Sequence, residues 1–87
     1  MNIISFFPGR IRVKDDRIYR NKELAYYLEY KFKNISGVLA NKTNYITGSL
    51  VIVYNKNIKS PEDILNLINE QIYQEINQNQ LQVMENH

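Results

Sequence analysis

Arg10-Ile11-Arg12-Val13-Lys14 is the stretch whose residue types and spacing offer chemistry. In an extended strand successive side chains alternate between faces, so Arg10, Arg12 and Lys14 share one side and Ile11 and Val13 the other. Three cations in a row can form charge-assisted hydrogen bonds with carboxylates or phosphates. Arg17, Arg20 and Lys22 follow closely. Arg10, Arg12, Arg17 and Arg20 therefore make one candidate anion-binding set, suited to phosphate or nucleic acid. A second candidate adds two valines. In Thr47–Tyr54, T-G-S-L-V-I-V-Y, the even-numbered Leu50, Ile52 and Tyr54 are expected to face a core. Val51 and Val53 then face outward beside Arg10 and Arg12, and an exposed apolar patch rimmed by charge suits contact with another chain. The partner-binding set is Arg10, Arg12, Lys14, Val51 and Val53, for a protein partner or a homodimer. Tyr19, Tyr26 and Tyr30 are candidates to extend it.

Other chemistries lack their residues. The 87-residue chain contains no cysteine and one histidine, His87. Disulfides, thiolate metal sites and a cysteine nucleophile are thereby excluded. His87, in a polar tail, is the one imidazole that a haem or metal could use. Asp15 and Asp16 are adjacent, diverge in an extended segment and sit among Arg and Lys, which reads as a solvated turn and not a hard-metal site. No metal or cofactor is expected. The length is that of one small domain stabilised by a single core. No apolar run approaches the roughly 20 residues of a membrane span, and the N-terminal stretch lacks the pattern of a signal peptide. A cytoplasmic location is the expectation. Positive charge gathers early: residues 1–35 carry eight Lys/Arg against four Asp/Glu, and residues 36–87 carry three against five.

The elements that position these residues follow from pattern. A first strand is expected over about residues 2–14, broken at Pro8-Gly9. Asn21 is a fitting N-cap for a helix to about Asn34, whose Leu24, Tyr27, Leu28, Phe32 and Ile35 form one buried stripe. Gly37 is expected in a left-handed or close-contact position. Val38–Thr43 is a weak strand suited by Lys42 to a sheet edge. Ser60-Pro61-Glu62-Asp63 starts a second helix, with Ile64, Leu65, Ile68, Ile72 and Ile76 buried, running to about Gln78. The expected domain is residues 1–79, with 80–87 a short edge strand or polar tail. The order is an α+β, ferredoxin-like βαββα(β) sandwich, an antiparallel sheet with two helices on one face.

Three segments together carry a family resemblance: P-G-R-I-R-V at 8–13, N-I-S-G-V at 34–38 and N-Y-I-T-G-S-L-V-I-V-Y-N at 44–55. The chain resembles the heavy-metal-associated domain superfamily over roughly residues 3–70. It is most similar to the branch with Pro-Gly-Arg on the first strand and no metal-binding cysteines. Metal-carrying members place two cysteines in the loop after that strand. The matching region here, Lys14–Lys22, has no cysteine, histidine or methionine, so soft ions have no ligands there. The resemblance implies a docking or regulatory domain, associated with metal-transporting P-type ATPases or encoded alone.

Enzymatic activity is not expected. Acylphosphatases share the topology, but D-D-R-I-Y-R has no glycine to cradle phosphate and two acids to repel it. RNA-binding sheets of this topology stack bases on aromatic residues of their central strands, where this chain offers Val51 and Val53. The remaining reading is a non-enzymatic docking module acting through protein contact or self-association, with phosphate or nucleic-acid binding as the alternative.

Overall fold

The structure is a computed structural model, and it describes residues 1–85. Six elements follow in order: β1 (Asn2–Phe7), β2 (Arg10–Lys14), α1 (Lys22–Lys33), β3 (Val38–Asn44), β4 (Ser49–Tyr54) and α2 (Pro61–Glu85). The four strands form one antiparallel sheet in the order β1-β2-β4-β3, so β2 and β4 are central. Both helices cover the same face, giving the α+β ferredoxin-like arrangement.

Parity along the central strands sets the core. Ile11 pairs with Ile52 and Val13 with Leu50, and directly opposed residues project from the same face. All four are buried beneath the helices, with Tyr54 beside them. From above come Leu24, Leu28 and Phe32 of α1, and Ile64, Ile68 and Ile72 of α2. The anticipated Tyr27, Ile35, Leu65 and Ile76 are half-buried at the margin. Ala25 and Ile18, which the periodicity did not single out, are fully buried.

The helix starts use the expected caps. Asn21 Oδ1 accepts from the Leu24 N–H at 3.1 Å. Ser60 and Asp63 form a reciprocal box: Asp63 N–H donates to Ser60 Oγ at 3.1 Å, and Ser60 N–H to Asp63 Oδ2 at 2.9 Å. Each satisfies an amide that helix geometry leaves without an intrahelical acceptor. Gly37 takes the anticipated left-handed conformation, φ +89°.

Two expectations are corrected. The first concerns residues 2–14, which are two strands folded into a hairpin. Phe7 pairs with Arg10, leaving Pro8-Gly9 as a two-residue loop. Proline suits the first turn position, and Gly9 supplies φ +86° at the second, a combination that reverses the chain. Space also demands glycine, because a Cβ there would lie 3.2 Å from the Tyr54 carbonyl. The turn is tied to the sheet by the Tyr54 N–H, which donates to the Gly9 carbonyl at 2.9 Å. Only residues 10–14 are therefore central, and residues 2–7 form an edge.

The second correction follows from the first. With β1 occupying the edge beside β2, residues 80–84 do not add a strand; they continue α2 through Glu85. After Pro61 the sequence contains neither proline nor glycine, so nothing interrupts the helix. The tail residues 86 and 87, including His87, lie outside the described residues.

Replacing Ile52 or Leu28 by Ala should cost about 2–5 kcal/mol, because each leaves a cavity in a fully enclosed core. Denaturant melts would show it, and little loss at Ile52 would mean that the strand faces are wrongly assigned. Tyr54 tests a different cost. Its buried hydroxyl has no hydrogen-bond partner among the described residues, so Tyr54→Phe should leave stability unchanged or raise it; a clear loss would reveal a hidden partner.

Candidate docking face and the loop beside it

The sheet surface away from the helices is built in rows by strand register. Phe7, Arg10, Val53 and Ala40 lie side by side, and the next row is Ser5, Arg12, Val51 and Lys42. A third row holds Asn2, Lys14, Ser49 and Asn44. Each lateral neighbour projects from the same face. Arg10, Arg12 and Lys14 are thus brought together with Val51 and Val53. Lys42 joins them from β3, a residue that the sequence placed at an edge without assigning it to a site.

The electrostatics of this face are one-sided. It carries four cations and no carboxylate, and none of the four cations makes an ion pair among the described residues. Val51 and Val53 are half-buried; Val51 is flanked by the longer Arg12 and Lys42, whereas Val53 has Arg10 on one side and only Ala40 on the other. Long cationic side chains cover apolar neighbours with their methylene stems while the charged ends reach water. The face can meet an anionic surface with its rim and an apolar side chain with its centre.

Arg17 is drawn away from that surface, and Arg20 lies in the loop beyond its rows. Arg17 is committed to Asp15: its backbone N–H and Nε each donate to Oδ1 at 2.9 Å, and Nη2 donates to Oδ2 at 2.7 Å. Nη2 also reaches Asn69 Oδ1 on α2 at 3.2 Å. Arg20 lies over the Tyr19 ring, 5.2 Å from its centroid, with its backbone at φ +57°. Tyr26 and Tyr30 stand exposed on α1, across the sheet from the valines, and do not extend the patch.

The β2–α1 loop is held down at several points. Asp15 N–H donates to the Gly48 carbonyl at 2.9 Å, and Arg20 N–H to the Tyr45 carbonyl at 2.8 Å. Ile18 is wholly buried beneath it. Gly48 permits this approach, since a Cβ there would lie 3.1 Å from both the Asp15 carbonyl and Tyr19 Cβ. A shallow hollow of about 410 Å³ opens beside the loop between Lys14, Asp16, Tyr19 and Thr47.

Asp15 is buried and functions as the loop's anchor. The hydrogen bonds from the Arg17 side chain lower its pKa below the ordinary carboxylate value, overcoming the upward push of burial. Both of its oxygens are thereby occupied, while Asp16 is exposed beside it. No group of three or more His, Cys, Asp or Glu side chains comes together among the described residues in a way that could hold a metal ion. The donor set does not fit a soft metal, which needs sulfur or imidazole ligands.

A lowered folded-state pKa gives stability that is fully present above the unfolded value, about 3.9, and is lost as pH falls through the folded value. Asp15→Asn should remove about 1–2 kcal/mol at neutral pH, a figure reduced for the solvent that reaches the Arg17 end of the pair. It should also flatten the acid limb of a stability–pH curve. An unchanged acid limb would show that Asp15 is not the linked group.

Comparison with known families and proteins gives one match. A family model described as heavy metal associated domain 2 matches residues 1–85. No curated protein and no solved structure matches the chain.

Proposed function

We propose that this chain, which belongs to the heavy metal associated domain 2 family, works as a non-enzymatic docking module whose open sheet face receives an acidic protein surface. The observation that carries the reading is the register that places Val51 between Arg12 and Lys42, and Val53 between Arg10 and Ala40, with no carboxylate on that face. A surface with one sign of charge attracts the opposite sign and repels its own copy, so face-to-face self-association is disfavoured here. The apolar centre supplies the short-range part of binding, and the cations supply orientation and encounter rate.

The loop chemistry supports docking over metal carriage. Where a soft-ion site would need thiolates, this chain has an Asp15–Arg17 pair above a buried Ile18. The domain keeps the family scaffold and offers its surface. The partner class favoured by the family is a metal transporter, such as a P-type ATPase, met from the cytoplasmic side. No helix among the described residues is long and apolar enough to cross a membrane, so attachment to such a transporter would go through contact. Phosphate or nucleic acid is the alternative occupant; of the four arginines in that set Arg17 is tied to Asp15, which leaves Arg10, Arg12 and the exposed Arg20 to use.

Val53→Lys and Arg12→Glu should each weaken capture of a protein partner by about tenfold or more while leaving the circular dichroism spectrum unchanged. Capture should survive nuclease treatment. A single-stranded RNA titration at low salt separates the alternative: tight binding that falls steeply with added salt, and is lost in Arg12→Glu, would replace the protein reading by the nucleic-acid one.

A further inference from the structure

The two edges of the sheet are treated differently. The β3 edge is closed by α1: Glu29 Oε1 accepts from the Thr43 N–H at 3.0 Å, and the Glu29 carbonyl from Asn41 Nδ2 at 3.4 Å. Lys42 adds a charge to the same edge. A capped amide and a lysine are both devices that prevent a further strand from pairing.

The β1 edge has neither. Its sequence, N-I-I-S-F-F, contains no charge. Beyond the β1–β2 ladder, no backbone group of this strand makes a hydrogen bond among the described residues. Ile3, Ile4, Phe6 and Phe7 are 53%, 51%, 48% and 60% exposed. Register places Ile3 and Phe6 on the helix side, opposite Val13 and Ile11, and Phe7 on the open side, opposite Arg10. The strand is therefore uncharged throughout, apolar on the helix side and at Phe7, polar at Asn2 and Ser5 on the open side, and unpaired along its free edge.

We propose that β1 pairs antiparallel with β1 of a second copy, joining two sheets into one of eight strands about a two-fold axis. Three observations select this occupant. A bilayer would cover the apolar side chains but leave the edge amides and carbonyls unsatisfied, at several kcal/mol each. A second strand satisfies them. That strand must be uncharged and match exposed Ile and Phe side chains, and β1 itself meets the requirement in the isologous geometry of a two-fold dimer. Charge permits it as well, because the two β2 cation rows would lie three strand spacings apart, roughly 14 Å, beyond the ~8 Å screening length at physiological salt. A contact built on one short strand falls below the usual ~800 Å² per partner, so the dimer is concentration-dependent. Pairing would leave both basic faces open on the same side, presenting a partner with two adjacent docking sites.

Sedimentation equilibrium from micromolar to submillimolar protein should show a reversible monomer–dimer equilibrium. Ile4→Lys should weaken it at least tenfold, and Val53→Lys should leave it intact, which separates this edge from the docking face. Because the chain has no cysteine, a Ser5→Cys variant carries a single thiol near the middle of β1. It should form an intermolecular disulfide under mild oxidation, whereas Asn57→Cys, on the loop before α2, should not. A monomer throughout the concentration range would overturn the proposal. So would a dimer that ignores Ile4→Lys and leaves Ser5→Cys uncrosslinked. Flotation of the monomer with phosphatidylglycerol vesicles, lost in Ile4→Lys, would assign the edge to lipid instead.

Discussion

The pairing of β2 with β4 is the constraint from which the rest of this domain follows. Ile11 against Ile52 and Val13 against Leu50 put four branched side chains on one face of two adjacent strands. A slip of one residue would exchange every inward side chain for its outward neighbour. Arg10, Arg12, Val51 and Val53 would then enter the core, and burying unpaired guanidinium groups is prohibitive. The core and the cationic open face are therefore two consequences of a single register. Neither can be altered without the other.

That register explains why a charged face with an apolar centre is stable without ion pairs. The cations stand in solvent above a sheet whose stability comes from the opposite side, so the high dielectric of water keeps their mutual repulsion below about 1 kcal/mol per pair. The negative charge of the molecule is concentrated elsewhere. Helix α2 carries acids at both Glu62-Asp63 and further along, with no Lys or Arg in its length. The open sheet surface is cationic and α2, on the other side, is acidic, while α1 beside it carries three lysines against two glutamates.

The β2–α1 loop shows how one scaffold position is put to another use. By the resemblance to metal-carrying domains this is where thiolates would be expected, and here the loop is an internal fastening. Asp15 ties Arg17, the backbone ties Gly48 and Tyr45, and Ile18 fills the space below. A loop pinned in this way does not need a metal to order it. It also holds the Arg17 guanidinium on Asp15.

The amino-acid sequence alone determined the parity of the two central strands, the buried stripe of each helix, the caps at Asn21 and Ser60, and the family. These features are written in local period and residue type, which a chain carries wherever it folds. Composition likewise excluded thiolate chemistry, since no arrangement can supply a missing sulfur. What only the tertiary structure decided are the features that depend on where distant segments meet. Pro8-Gly9 reads equally as a bend within one strand or as a reversal, and the choice rests on whether residues 2–7 find a better neighbour in β2 than beyond it. Once β1 took that edge, residues 80–84 had no ladder to join and remained helical. Asp15 looked like half of a solvated acidic pair because its burial depends on Gly48, 33 positions away in the chain. Tyr26 and Tyr30 looked adhesive until the helix carrying them was placed across the sheet from the valines. Periodicity describes a side chain's direction from its own backbone; only packing says what stands in that direction.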